Sequence, residues 1–372
     1  MRLSIAFLCL ALDVSAAQTQ PIVFAATWTK KTTSGIATFK LNLVDGTLTP
    51  YGVTPHTIEE DELNPTFIQG TNKPNSVIYA LNRGSSAGFV TAMTLQPDGK
   101  LKVLNQQEMR GKAPVHVAIS EKEDFISVSN YAGCLSLFPL NADGSIEKET
   151  FYQNFTTGSN VIAKDQATSH IHSSLWLPKS NNLVAADLGN DELLQFELDA
   201  PEQTLNSLRT VKRRPGSGPR HMVLGTTGDY LYVNDELSNT VGVYKVDKKT
   251  NLLSQKVLQV ITTLPAGFTN TSTSADIGLS SNGKFLFVSN RGHDSVASYA
   301  ILPDGTLKCL HFESSRGILP RGLVVYQDWL IVANQASDNM FVFKINAETG
   351  ALTYTGNSYK IDGVVDLYVG EY

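Results

Sequence analysis

Histidines, arginines and one glutamate with the right chemistry for proton transfer and anion binding recur at matching points of this chain. His170-Ile-His172 places two imidazoles on one face of an extended strand, because alternate strand residues point the same way. Such a pair could ligate a metal, but no further His, Asp or Glu cluster of fixed spacing accompanies it. A proton-transfer or substrate-contacting role is therefore expected, with no metal and no organic cofactor. Arg220-His221 follows Gly-Pro, Glu236 stands in Asn-Asp-Glu-Leu, and Arg291 in Asn-Arg-Gly-His. A guanidinium is a planar fork suited to carboxylate or phosphate oxygens, so the two arginines are expected to hold an anionic substrate group. Glu236 is the carboxylate best placed for acid–base work, since neighbouring arginines can tune its pKa. Ser173 and Ser174 lack the GxSxG setting of an activated serine. His116 is a further candidate contact, with a hydrogen-bonded place in the wall as its alternative.

The elements carrying these residues repeat. Six segments read NPTF…IYALNRG (from Asn64), APVHVAI…ISVSNYAG (Ala113), HIHSSLW…LVAADLGNDELLQF (His170), GPRHMVL…LYVNDELSNTVGVY (Gly218), SADIGLS…LFVSNRGHDSVASY (Ser274) and LPRGLVV…LIVANQASDNMFVF (Leu319). Each is a short apolar strand, a turn, an alternating strand ending in Asn or Asp, a tight turn and a third strand. The landmarks Asn82, Asn130, Asp187, Asp235, Asn290 and Asn334 recur about every 50 residues, a period of propellers and solenoids. A seventh unit is visible in PIVFAATW and SGIATFKLNLVDGTLT near the start. Turns such as Pro97-Asp-Gly, Asn141-Ala-Asp-Gly, Pro303-Asp-Gly and Glu348-Thr-Gly supply the positive φ that hairpins need. With helix signals nearly absent, the expected fold is all-β, a seven-bladed β-propeller of four-stranded antiparallel blades. The N-terminal segment is expected to share a blade with Val364 to Tyr368, tying the ring closed.

Strand direction then gathers the chemistry. The first strand of a blade starts, and the second ends, at the same end of the ring. His116, His170, His172, Arg220 and His221 stand at first-strand starts; Arg83, Tyr131, Asp187, Glu236, Arg291 and Gln335 stand at second-strand ends. All are thereby aimed at one channel mouth. His170, His221, His116, Asp187 and Gln335 are expected substrate contacts. The recurrent landmark Asn or Asp fits a scaffold role, satisfying the turn backbone in each unit.

The chain of 372 residues, 42% hydrophobic and 17% charged with net charge −5, has the balance of a soluble enzyme. No apolar run reaches the roughly 20 residues that span a bilayer. The densest basic cluster, Lys212-Arg213-Arg214, reads as a solvated loop and argues against nucleic acid. Arg2, the apolar run Ile5 to Leu12 and the small residues Ser15 to Ala17 have the order of a secretory signal peptide over residues 1–17. Residues 18–372 are expected to form one propeller domain, secreted and monomeric. The sequons at Asn154 and Asn270 fit a glycoprotein. Cys134 and Cys309, in different repeats, read as separate buried thiols.

Over nearly all of the mature chain these phrases resemble the seven-bladed propeller lactonase family, which includes propeller-type 6-phosphogluconolactonase and fungal carboxy-cis,cis-muconate cyclase. GPRH followed by NDEL, together with SNRGHDS, carries the resemblance most specifically. The family's proposed catalytic positions fall here on His172, Arg220, Glu236 and Arg291. The resemblance implies a small-molecule partner, an anionic lactone or carboxylic acid, and metal-independent lactone hydrolysis or the related cycloisomerisation. A non-catalytic secreted propeller is the rival. Three positions depart from many relatives: Gly278 and Gly322 replace polar residues, and Arg83 stands where Glu is common. The rim is therefore altered, and the substrate of neither named enzyme carries over directly.

Overall fold

The structure, a computed structural model, describes residues 19–28, 35–55, 64–71, 77–84 and 86–372. The proposed leader and its cleavage site lie outside these residues. The described residues form 28 strands in seven four-stranded antiparallel sheets, with one single-turn helix at Ala163–Gln166. Blades 2 to 7 are continuous in sequence, and their innermost strands are Asn64–Gly70, Pro114–Ile119, Ile171–Trp176, Pro219–Leu224, Thr273–Leu279 and Pro320–Tyr326. Blade 1 is composite. The C-terminal strand Val364–Glu371 is its innermost member and pairs with Pro21–Thr27, from Thr27 opposite Val364 to Pro21 opposite Glu371. The ring closes as expected.

Alternating apolar residues make the strands, and the faces they create pack between neighbouring blades rather than within one central core. Ile22, Phe24 and Ala26 of blade 1 meet Ile68, Ile78 and Ala80 of blade 2, all essentially inaccessible. Phe285 and Phe287 of blade 6 meet Leu330, Val332 and Phe343 of blade 7 in the same way. The hairpin turns use the expected conformation, with Gly99, Gly144 and Gly305 at φ of 80°, 81° and 79°.

The landmark residues are scaffold. Asn130 Oδ1 accepts the backbone N–H groups of Ala113 and Ala132, at 3.1 and 2.9 Å. Asn290 and Asn334 donate to the carbonyls of Thr263 and Ser315. Asp235 is the exception in kind, for it is fully buried and paired with Arg213, which also donates to the Tyr244 hydroxyl at 2.6 Å. This corrects the reading of Lys212-Arg213-Arg214 as a solvated loop: Arg213 is 7% exposed and its charge is neutralised inside blade 5. Cys134 and Cys309 are free thiols. The sequon residues Asn154 and Asn270 are exposed. No helix among the described residues is long and apolar enough to cross a membrane.

One irregularity recurs in every blade. The pairing of each innermost strand with its neighbour slips near its first residues, between Pro65 and Phe67, Pro114 and His116, Ile171 and Ser173, Pro219 and Met222, Ser274 and Ile277, and Pro320 and Gly322. In blade 1 the slip falls at Val365. Such bulges leave residues out of the ladder and re-aim their side chains.

Candidate active site

The residues left unpaired by these bulges include Thr66, Val115, His172, Arg220, His221, Arg321 and Val365, and together they line the channel opening. Glu236 and Arg291 arrive from second-strand ends, as strand direction required. Glu236 sits between two guanidinium groups: Arg220 Nε is 2.9 Å from Oε2 and Arg291 Nη2 is 2.9 Å from Oε1. The Arg220 contact lies off the N–H direction, so it is ionic rather than a hydrogen bond. Arg220 is further fixed by donating to the Ala275 carbonyl of blade 6, and Arg291 donates to the Ser274 carbonyl at 3.2 Å.

His172 Nε2 lies 4.0 Å from Glu236 Oε2, and its Nδ1 is buried with no hydrogen-bond partner. His221 Nδ1 is 2.8 Å from Asp276 Oδ1, and Asp276 Oδ2 accepts the Leu323 N–H of blade 7 at 2.9 Å. The His172 and His221 ring centroids are 5.2 Å apart, and those of His116 and His221 5.4 Å. His116 packs on Phe67 at 4.3 Å, and its Nδ1 accepts the Ser174 N–H at 3.5 Å, which makes it part of the wall. His170 stacks on Tyr131 at 4.1 Å and donates from Nδ1 to the Tyr131 carbonyl at 2.5 Å.

Burial and fixed charges set the protonation states. Burial, then the Arg220 charge, holds the His172 pKa well below the ordinary imidazole value. Burial and Arg220 also lower His221, despite its bond to Asp276. Burial, His221 and Arg220 lower His116. These imidazoles are neutral at pH 7. Burial opposes ionisation of Glu236, but Arg291 and Arg220 outweigh it and hold the carboxyl below its usual range. Asp366, on the closing strand, is different: burial and the nearby Asp276 charge push its pKa well up, although it accepts the Ile68 N–H at 2.8 Å. The site thus juxtaposes neutral imidazoles, a clamped carboxylate and several guanidinium groups. No group of three or more His, Cys, Asp or Glu among the described residues is arranged to hold a metal ion.

His172, Arg220, Glu236, Arg291 and His221 meet as the sequence suggested, with His116 and His170 beside them. Two expectations are corrected. Asp187 is fully buried and does not face the channel, because Ser169, His170, Gly189 and Asn190 saturate its oxygens. The arginine forks assigned to a substrate anion are turned on Glu236 instead. Gln335 is half-buried at its strand end, where its N–H closes a turn onto the Leu319 carbonyl at 3.0 Å. Asp276, Arg321, Asp366 and Trp28 were missed. A signal for Arg321 existed, because LPRG occupies the same place in its repeat as GPRH.

A seven-bladed propeller whose channel mouth carries arginines, neutral histidines and a clamped glutamate defines the class of this molecule. The chain belongs to the seven-bladed β-propeller lactonase family, whose model "Lactonase, 7-bladed beta-propeller" matches residues 22–369. It is 30% identical to a 6-phosphogluconolactonase of Bacillus subtilis (strain 168) over 345 residues, covering 90% of this chain and 94% of that one. It is 34% identical to a 6-phosphogluconolactonase of Formosa agariphila over 290 residues, 74% of this chain and 78% of the other. The solved periplasmic gluconolactonase of Pseudomonas aeruginosa superposes with a TM-score of 0.86 at 26% identity, covering 94% of this chain and 99% of its own.

Proposed function

We propose that the protein is a secreted, metal-independent lactonase acting on a lactone of an acidic sugar or carboxylic acid. The observation that supports this most is the neutral His172 facing a Glu236 locked between Arg220 and Arg291. Glu236 is a poor base because both its oxygens are held by cations and its pKa is low. His172 is the better one, being uncharged and unpartnered at Nδ1. In this reading His172 takes a proton from water as the water oxygen attacks the lactone carbonyl carbon. The ring C–O bond then breaks, and the proton returns to the departing alkoxide, giving a hydroxy acid. A guanidinium has five N–H donors, so Arg220 and Arg291 keep donors for the oxyanion that develops. Glu236 holds both arginines in register. Export is supported by the N-terminal residue order and by the exposure of Asn154 and Asn270. Residues 18–372 would then be the mature propeller.

Proton release by the mature glycosylated protein over neutral, carboxylated and phosphorylated lactones, against the spontaneous blank, tests the reading. Release that disappears in Arg220→Ala is expected; silence across the panel would overturn hydrolysis and favour cyclisation or a binding role. Incubation with EDTA is expected to leave the rate unchanged, and inactivation would overturn metal independence.

The pH profile gives a separate check. A base whose pKa lies below 6.5 keeps its lone pair as pH falls through the ordinary histidine range. The acid limb of kcat/KM is therefore expected below pH 6.5, and a limb centred at or above 6.5 would remove His172 as the base. Stability should fall in the same direction. The unfolded chain protonates its histidines near 6.5 while the folded one resists, so acidification through that value favours unfolding.

A further inference from the structure

Three arginines converge on the channel opening, and they are not equivalent. Arg220 and Arg291 share Glu236. Arg321, unpaired by the bulge of blade 7, has no carboxylate within ion-pair distance among the described residues. The other acids nearby are committed: Asp276 to His221 and the Leu323 N–H, Asp366 to the Ile68 N–H. Arg321 nevertheless lines the same pocket as His172, Arg220 and Asp366. Its guanidinium lies 5.7 Å from the Trp28 ring centroid, and Arg83 lies 5.8 Å from the same ring. A cation so placed is oriented by the aromatic face without being neutralised by it.

The backbone brings Arg321 there by close approach. A Cβ on the next residue, Gly322, would stand 2.8 Å from the Val365 carbonyl oxygen and 3.0 Å from Asp366 Cα. Glycine at that point lets the strand of blade 7 lie tightly against the closing strand, beside Asp366. The surplus charge has a visible cost, since burial and the Arg220 and Arg291 charges lower the Arg321 pKa to about 9. An anion in the pocket would relieve that repulsion.

We propose that Arg321 is the residue that selects the substrate, its guanidinium binding a carboxylate or phosphoryl group carried by the lactone, while Arg220 and Arg291 remain committed to Glu236. This rests on the lactonase reading for its substrate, though not for the existence of an anion site.

The test compares Arg321→Gln and Arg321→Lys with the wild type on one lactone ring in three forms, unsubstituted, carboxylated and phosphorylated. Losing a hydrogen bond to a charged group weakens binding by at least about tenfold. The ratio of kcat/KM for charged over neutral lactone is thus expected to fall at least about tenfold in Arg321→Gln, through KM, and to recover partly in Arg321→Lys. The carboxylated and phosphorylated arms show which group is preferred. An unchanged ratio would overturn the proposal. Calorimetric titration with inorganic phosphate and with acetate needs no turnover. Binding by the wild type that weakens at least about tenfold in Arg321→Gln would uphold the anion site even if no lactone were hydrolysed, whereas equal binding by both proteins would overturn it. Arg321→Gln is also expected to melt no lower than wild type, because it removes a repelled charge; a large fall would mark Arg321 as structural and count against it.

Discussion

Replacing His172 with alanine is expected to lower turnover of the responsive lactone at least about a hundredfold while the melting temperature stays close to that of the wild type. A positioned general base contributes about 10²–10⁴ in rate. His172 is the group here that combines neutrality, burial and a position 4.0 Å from the clamped carboxylate. Its ring Nδ1 makes no hydrogen bond in the protein, so truncation breaks no polar network. Arg220→Ala is expected to fall by a similar factor for a different reason, the loss of an oxyanion donor, at about 10²–10³. The two are separable by pH. The residual rate of Arg220→Ala should keep the acid limb below pH 6.5, and that of His172→Ala should lose it. Near-normal turnover of either variant would remove that residue from the chemistry.

Glu236→Gln is expected to produce the largest loss of stability of any single change at the mouth. It leaves Arg220, Arg291 and Arg321 facing one another with no carboxylate between them. Breaking a buried pair by removing one partner costs about 3–5 kcal/mol, because the abandoned charge stays buried. The Glu236 side chain is 16% exposed, which places the expected loss near the lower end of that range. Thermal unfolding should show it, and added sulfate should restore part of it by occupying the vacated cationic site. The double variant Glu236→Gln/Arg321→Gln should be more stable than Glu236→Gln alone. Wild-type stability in Glu236→Gln would mean that the clamp contributes nothing.

The blade count, the closure of blade 1 and the convergence of His172, Arg220, Glu236 and Arg291 were legible because they follow from period and direction. Strand starts and ends must meet at one end of an antiparallel blade. Hydrogen-bond commitment was not legible. Asp187 and Glu236 both follow apolar strands near their ends, yet one is consumed by Ser169 and the turn after it and the other by two distant arginines. The bulges were hidden for a related reason. A slip of register changes which neighbour a residue pairs with but leaves no mark on hydrophobic alternation. Lining up the repeats at their prolines would have exposed Arg321 beside Arg220. It would not have shown that, among the described residues, Arg220 has a carboxylate within ion-pair distance and Arg321 has none. Arg213 was misplaced because a run of three basic residues looks solvated, while its partner Asp235 lies 22 positions away in sequence.

The composite first blade also sets a clock. Val365 and Asp366, which complete the pocket beside Arg321, belong to the strand translated last of the 28. At about 5–20 residues per second, they follow Arg220 off the ribosome by roughly 7–30 s. Glu236, Arg291 and Arg321 emerge during that interval, and until the closing strand follows them the pocket lacks the wall that Val365 and Asp366 supply. The pocket is therefore completed only with the strand that closes blade 1. A chain stalled or clipped before that strand would possess nearly every reactive side chain and still lack the complete pocket in which to use them.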